Sequence, residues 1–525
     1  MALLIAYFLV ASASIHVSAF SIPSLPHISA SAFLGTGSSQ HTHAQAPLQD
    51  GLEAWLAWEE KVALHNLLDN IAPNGQGLEG AIKGSVLASP SREHPNYFYQ
   101  WVRDAAITTS TLVDTYADDP SSKLSAKLSS VIDDYAVLQS KLQHTSNPSG
   151  TFEDLSGLGE PKFEADGSAF VGSWGRPQRD GPALRAITLM AYLRAYNASH
   201  PSLWTSNHGS NFFGRFYEAS LPANSIIKAD LEYTSHYWNH DGFDLWEEVE
   251  GLHFFTAMVQ LRALREGSDF ALAFGDNGAA KWYASQAEAL EKFVTLFWDK
   301  TKGHLVETLN SPRSGLDCAL LLGSLHGYPS EQSSHEPVYA PHSDEALVSL
   351  LALMRDQRTR FPINIEHSSS ENEDDVLEGV GLGRYPEDVY NGYDSDHTGH
   401  PWFLCTSSAA EILYRTASHI STTSNLTISS LGFPFYKSLL SSSSLVPEIG
   451  STYGPNDAVF HSVVDRLRDL GDGFLEVVKR HASAEGNMSE QFDRRTGFQR
   501  GARDLTWSYG AFLQAVRARE RDGEK

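Results

Sequence analysis

Apolar residues recur at helical spacing in Gly51–Asn70, Val102–Tyr116, Leu128–Gln143, Pro182–Tyr196, Leu252–Leu264, Lys281–Trp298, Asp344–Arg355, Trp402–Ala417, Ala458–Arg480 and Leu505–Arg517. Shorter segments near Ile226–Trp238 and Phe433–Leu440 bring the count to about a dozen helices. No comparable series of alternating strands joins them, so the architecture is mostly α. The exception is Thr151–Trp174, a Gly-rich aromatic stretch that reads as a small hairpin. In the fourth segment Asp180 is placed to cap, Pro182 sits near the first turn, and Leu184, Ile187, Ala191 and Ala195 share one face. The acidic Glu371–Asp375 and the Ser-rich Ser418–Ser444 read as loops, one a solvated surface and the other an insertion.

A long-range spacing adds order. Asp104 to Trp174 is 70 residues, Trp174 to Glu247 is 73, and Glu247 to Arg384 is 137, close to twice that interval. Each marker stands ahead of a helical run. Helix pairs repeated around a ring would bring these loops to one end of a closed barrel of about twelve helices, the natural mouth of a site.

With 525 residues, 41% hydrophobic and 20% charged, the chain can bury one large core or two ordinary ones. Lys plus Arg is 39 against 64 for Asp plus Glu, a net charge of −25. That is a poor match for nucleic acid or an anionic membrane and points to a neutral substrate. Met1 to Val10 form an apolar core, followed by small residues and Val17-Ser18-Ala19, which reads as a secretion signal, 1–19, of an extracellular protein. The rival reading is a membrane anchor, but the run is shorter than the roughly 20 residues a span needs. Residues 20–50, rich in Ser, His, Ala and Pro, read as a flexible leader or pro-segment. Cys318 and Cys405 are the only cysteines; both sit in apolar runs, where free buried thiols are the commoner state. Asn197-Ala198-Ser199, Asn425-Leu426-Thr427 and Asn487-Met488-Ser489 are glycosylation sequons, the third within a few residues of Glu490.

Five segments are rich in groups that bind sugar. In Tyr97-Phe98-Tyr99-Gln100-Trp101-Val102-Arg103-Asp104 an Arg-Asp pair follows an aromatic cluster and suits forked hydrogen bonds to adjacent hydroxyls, though a structural salt bridge at a helix start fits equally. Gly172 to Pro182 is a tight loop presenting Trp174, either a stacking platform or a plug on the core. The third, Tyr237 to Gly251, sets Asp244, Glu247 and Glu248 against two tryptophans. Leu245 and Trp246 can desolvate Glu247, which makes it the candidate general acid, with Glu248 beside it to bind a neighbouring sugar or act by like charge. An acid-rich helix start is the plainer account. Gly383 to Gly392, running on to Trp402, interleaves Arg384, Tyr385 and Tyr390 with carboxylates. The fifth is Asn487 to Phe492 with Ala502 to Trp507. Hydrolysing an acetal needs a protonated acid and a second carboxylate, either a nearby nucleophile or a more distant base that activates water; Glu247 and Glu490 are the candidates.

Tyr97-Phe98-Tyr99-Gln100-Trp101, Gly172 to Asp180, Leu245-Trp246-Glu247-Glu248, Arg384-Tyr385-Pro386-Glu387-Asp388, Pro401-Trp402-Phe403-Leu404-Cys405, Ser489-Glu490-Gln491 and Arg503-Asp504-Leu505-Thr506-Trp507 together resemble the fungal glucoamylases of glycoside hydrolase family 15, in order, over about 50–518. The resemblance implies an all-α (α/α)6 barrel over 51–520 and an exo-acting inverting enzyme that releases β-D-glucose from non-reducing ends of starch and maltooligosaccharides, cleaving α-1,4 faster than α-1,6 links. It implies that Glu247 is the acid and Glu490 the water-activating base. Arg103, Asp104 and Arg384 would grip the terminal glucose, with the Leu245 carbonyl helping. Tyr97, Trp101, Trp174, Tyr390, Trp402 and Trp507 would line the pocket, and Glu248 would contact the next sugar. Asp244 matches an acid that orients or charges the site.

Departures are visible too. Gly501 stands where relatives often have Ser, and several family disulfides have no cysteines here. The chain ends 18 residues after Trp507, which leaves no room for an appended starch-binding domain, so raw granules should be poor substrates. No metal or other cofactor is expected, since no Cys/His cluster has ligand spacing. A monomer is expected. The alternatives are another inverting α-glucoside hydrolase, acting on trehalose or dextran, and a glucan-binding protein with a decayed site.

Overall fold

A computed structural model describes residues 51–203, 207–330, 333–366, 377–395 and 398–523. The signal, the leader and Glu371–Asp375 lie outside the described residues. In chain order the helices are α1 (Leu52–Asp69), α2 (Val102–Asp118), α3 (Lys123–Gln143), α4 (Gly181–Ser199), a short α5 (Asn207–Gly214), α6 (Ile226–Tyr237), α7 (Phe254–Ala273) and α8 (Asn277–Val294). They continue with α9 (Ala319–His326), α10 (Asp344–Arg360), a short α11 (Pro362–Glu366), α12 (Phe403–Thr423), a short α13 (Phe433–Leu439), α14 (Ala458–His481) and α15 (Thr506–Gly523).

Two kinds of helix alternate. α8 buries Ala279, Ala280, Tyr283, Ala287, Leu290 and Val294, a single stripe at helical spacing that leaves the other face to water. α4 buries every residue from Gly181 to Met190, so instead of the expected single face it is covered on all sides along its first half. α12 likewise buries Ser407, Ser408, Ala409 and Ala410 in succession, small side chains that suit a crowded centre. The fully buried kind forms an inner ring: α2 packs on α4, α4 on α7, α7 on α9, α9 on α12, α12 on α15, and α15 returns to α2. Outside it, α3 and α6 lean on α2 and α4, α8 on α7, α10 on α9, α14 on α12 and α1 on α15. This is the (α/α)6 barrel. Arg185 on α4 is buried and held by Asp230 of α6 at 2.6 and 2.8 Å and by Gln139 of α3 at 3.0 Å, which gives a buried charge the full set of partners it needs.

The segments just before the inner helices are tied to one another in the same order. β1 (Tyr99–Trp101), before α2, pairs antiparallel with β2 (Lys162–Glu164), before α4. The Phe243 N–H, before α7, donates to the Pro177 carbonyl at 2.8 Å, and Phe254 N–H donates to Glu307 in the α9 approach at 2.7 Å. Cys318 donates to Arg384 at 2.7 Å, Phe492 to Pro401 at 3.0 Å, and Thr506 to Ala88 at 2.9 Å, which closes the circle. Six approach loops therefore meet at one end of the barrel.

Several expectations are corrected. The small hairpin expected in Thr151–Trp174 is present but does not stand alone: Phe163 bridges Ala169 and the Glu164 N–H donates to the Ser168 carbonyl at 3.0 Å, while β2 also joins β1 of the neighbouring approach loop. The Ser-rich stretch is not all loop. α12 runs on to Thr423, Leu426–Thr427 pairs with Thr452–Tyr453, and α13 follows. α5, α9 and α11 are too short to show a helical period in the sequence, and α9 is buried on every side. Arg103 and Asp104 lie in the first turn of α2 rather than in a loop. Cys318 and Cys405 are not free thiols: they form a disulfide with Cα atoms 5.7 Å apart, joining the starts of the adjacent inner helices α9 and α12. Their apolar surroundings reported burial correctly but not that two buried runs face each other.

The bridge closes a sequence separation of 87 residues, for which chain entropy gives a stabilisation of roughly 4.6 kcal/mol. Replacing both cysteines by Ser should lower the unfolding temperature by several degrees in calorimetry, and an unchanged temperature would show that the bridge contributes little.

Candidate active site

The loop before α7 is built around Asp244. Its Oδ1 accepts the N–H groups of Glu248 and Val249, each at 2.7 Å, and its carbonyl accepts that of Glu247 at 2.9 Å. The loop spans β3 (Gly242–Phe243) and β4 (Glu250–Gly251), so Glu247 stands in a hairpin and not at a helix start. Glu247 has φ 69°, a conformation that costs a residue with a side chain roughly 1–3 kcal/mol and persists only where its surroundings enforce it. Those surroundings are specific. Its Oε1 accepts from Trp101 Nε1 at 2.6 Å and Gln178 Nε2 at 3.0 Å, with Arg103 Nη2 at 3.7 Å. Gly175 lets the Trp174 loop approach: a Cβ there would lie 2.7 Å from the Glu247 carbonyl.

The tryptophan beside Glu247 is thus Trp101, which ends β1 and stands at the N-cap of α2. Trp246 points away, its indole donating to Asp317 at 2.9 Å and its ring 5.5 Å from Trp402. Glu248 is equally committed elsewhere. Arg384 Nη2 lies 2.9 Å from it, Arg313 donates at 3.0 Å, and the Tyr385 hydroxyl donates to the same carboxylate. Burial would raise the Glu248 carboxyl, but Arg384, Tyr385 and Arg313 outweigh it and hold it below the usual range.

Glu490 is carried by another approach loop, the one before α15. Its N–H donates to Ala502 at 2.8 Å, just before β9 (Gln491–Phe492), which pairs with β10 (Gln499–Arg500). The side chain is wholly buried and receives the Tyr97 hydroxyl at 2.8 Å and that of Tyr390 at 3.2 Å. Burial pushes its carboxyl up to about 7, while the two tyrosines and Arg384 oppose the rise. Tyr97 also packs on Trp101, ring centroids 5.4 Å apart. Glu247 and Glu490 are therefore linked through a Trp101–Tyr97 pair, each carboxyl with its own donors.

The remaining predicted residues fall mostly into place. Arg103 is buried, bonded to Gln178 at 2.7 Å and Asp180 at 3.0 Å, with Asp104 at 3.5 Å. Burial and Glu247 push the Asp104 carboxyl up to about 6 against the pull of Arg103. Arg384 forks onto Asp388 at 2.5 and 3.0 Å, within a box of Trp246, Tyr385, Tyr390 and Trp402 rings about 5.2–5.5 Å from its guanidinium carbon. Among the described residues nothing donates a hydrogen bond to the Leu245 carbonyl. Trp174 is 38% exposed, with its ring 6.2 Å from Trp101, so it offers a face to a ligand. Trp507 stands apart, buried in the first turn of α15 without a ring contact to the others.

Sequence reading missed Lys162. Its ammonium is capped by four rings, Trp174 at 3.2 Å, Phe170 at 4.0 Å, Tyr99 at 4.4 Å and Trp101 at 4.6 Å. Burial lowers it to about 8 despite the charge of Glu247. A lone Lys in a strand carries no signal of this; the aromatic motifs around it name the cage but not its occupant. Gln178, Arg313, Asp317 and Asp388 were likewise assigned no role.

The profile described as Glycosyl hydrolases family 15 matches residues 61–517. The chain belongs to glycosyl hydrolase family 15. Among family 15 relatives, a glucoamylase of Saccharomycopsis fibuligera is 39% identical over 490 residues, 90% of this chain and 91% of that protein. Glucoamylase-1 of Schizophyllum commune is 38% identical, covering 89% of this chain and 74% of its own. The solved glucoamylase structure from Saccharomycopsis fibuligera superimposes with a TM-score of 0.81 at 35% identity, over 92% of this chain and 98% of that one.

Against that family background Gly501 has a physical consequence here. Its φ is 74°, and a Cβ built there would lie 2.3 Å from Glu490 Oε2, so any side chain at 501 must displace the carboxylate. The tyrosine hydroxyls favour the ionised form of Glu490, and removing one raises its pKa. A reaction that needs this carboxylate then loses rate earlier as pH falls. Tyr97→Phe should therefore move the acid limb of the kcat/KM profile to higher pH; a limb that stays put or moves down would contradict this reading of Glu490.

Proposed function

We propose that this chain is a secreted glucoamylase, an exo-acting glucan 1,4-α-glucosidase that works with inversion on starch and maltooligosaccharides. The observation that carries the reading is the pair of unlike carboxyls, Glu247 and Glu490, on separate loops with Tyr97 and Trp101 between them. Glu247 donates its proton to the glycosidic oxygen as the C1–O bond breaks, and Glu490 takes a proton from the water that attacks C1 from the opposite face. The products are β-glucose and a shortened glucan. Desolvation suits Glu490 to this task, since a buried carboxylate is a stronger base.

Arg103 Nε and Asp104 Oδ2 form an ion pair 3.5 Å apart, and among the described residues neither atom has a hydrogen bond; a sugar hydroxyl, both donor and acceptor, satisfies such groups. With Arg384 they form the grip on the terminal residue, while the exposed Trp174 stacks on the next sugar. Asp244 acts by shaping the loop, since its Oδ1 is already occupied by two backbone N–H groups. Secretion is supported by the N-terminal segment and by the exposed sequon at Asn425, whereas the Asn487 amide is spent on Asp504 at 2.8 Å.

Maltotriose digestion followed by proton NMR should show β-glucose as the first product, with α-glucose or internal fragments excluding the proposal. Glu247→Gln and Glu490→Gln should each lower kcat on maltose by about 100-fold or more, and near-normal activity in either would remove that residue from its role.

A further inference from the structure

Asp317 and Cys318 lie just before α9, between the Glu247 loop and the wall that carries Arg384. Asp317 Oδ1 accepts the Trp246 indole N–H at 2.9 Å and the Ala319 N–H at 2.8 Å. The next residue, Cys318, donates to the Arg384 carbonyl and is disulfide-bonded to Cys405. Two consecutive residues thus join the residue preceding Glu247, the Arg384 loop and the start of α12.

Asp317 is buried and, among the described residues, forms no ion pair. The charged groups that face it are the buried carboxyls of Asp244 and Glu307 and the guanidinium of Arg384, with His253 beside Asp244. Burial pushes the Asp317 carboxyl well above the usual range, and Asp244 adds to the rise; burial and both neighbouring carboxyls do the same to Glu307. A carboxyl that keeps its proton still accepts through Oδ1, so the two hydrogen bonds survive in the neutral form, and Asn is its near-isostere. Removing the acceptor leaves the Trp246 N–H buried with no partner, one residue from a backbone already held at positive φ.

We propose that Asp317 is a positioning residue for the general acid, fixing the Glu247 loop to the Arg384 wall through the Trp246 indole. The proposal rests on Glu247 being that acid. Its effect should fall on proton donation and not on sugar binding or on the base.

The test compares Asp317→Ala and Asp317→Asn on maltose and on α-D-glucosyl fluoride, whose leaving group departs without protonation. Asp317→Ala should lose about 100-fold in kcat on maltose with KM little changed, and only a few-fold on the fluoride. Asp317→Asn should stay near the parent enzyme on both. Equal losses of Asp317→Ala on the two substrates, no loss on maltose, or an Asn variant as impaired as the Ala variant would each overturn the proposal. If Asp317→Ala does not fold, Asp317→Asn still decides: retention of maltose activity supports a neutral acceptor, and a loss beyond about tenfold refutes it. Glu247→Gln run in parallel separates the two claims, because a Glu247→Gln variant crippled equally on the fluoride would sink the acid assignment itself, whatever Asp317 does.

Discussion

The circle of hydrogen bonds above the inner helices is the constraint on which the site depends. Each inner helix is reached through an irregular loop, and such loops are ordinarily the least fixed parts of a helical protein. Here every one is bonded to the next, from β1 on β2 round to Thr506 on Ala88. The circle can close only because α15 packs on α2, so contacts between the two ends of the described chain set the geometry of a site assembled from its middle. The disulfide reinforces the α9–α12 junction, where the Arg384 loop enters.

Within that frame, environment divides the carboxyls by task. Glu490 is desolvated and met mainly by neutral hydroxyl donors, so it rises to about 7. Glu248, the residue after Glu247, is saturated by two guanidiniums and a phenol and is held in its ionised form. Lys162 supplies a positive charge near Glu247 without bonding it, and holds Trp174 and Trp101 by their faces. One kind of side chain thus takes different protonation and bonding states according to its partners, and on the proposed reading these become base, anchor and loop brace.

Much of this was legible in the sequence, and the limits have physical causes. The long helices announced themselves by periodicity because an outer helix has one dry face, as α8 does. α9 did not, because a short helix buried on all sides has no period to find. The spacing of Asp104, Trp174, Glu247 and Arg384 marks three of the six approach loops and the first turn of α2, and the resemblance adds Glu490. What stayed hidden were relations across loops: which tryptophan serves Glu247, that Cys318 meets Cys405, and that Lys162 sits inside the aromatic cluster. Local sequence records burial and turn chemistry well. It does not record which distant surfaces meet, and in this molecule those meetings are decided by ring closure.

The most direct test is the structure of the Glu247→Gln variant with maltose bound. The glycosidic oxygen should lie within hydrogen-bond distance, about 2.6–3.2 Å, of the residue 247 side chain, with Glu490 on the opposite face of the sugar holding a water in line with C1. A sugar bound with both carboxyls on one face, or with Glu490 in direct contact with C1 and no space for water, would contradict inversion by this pair.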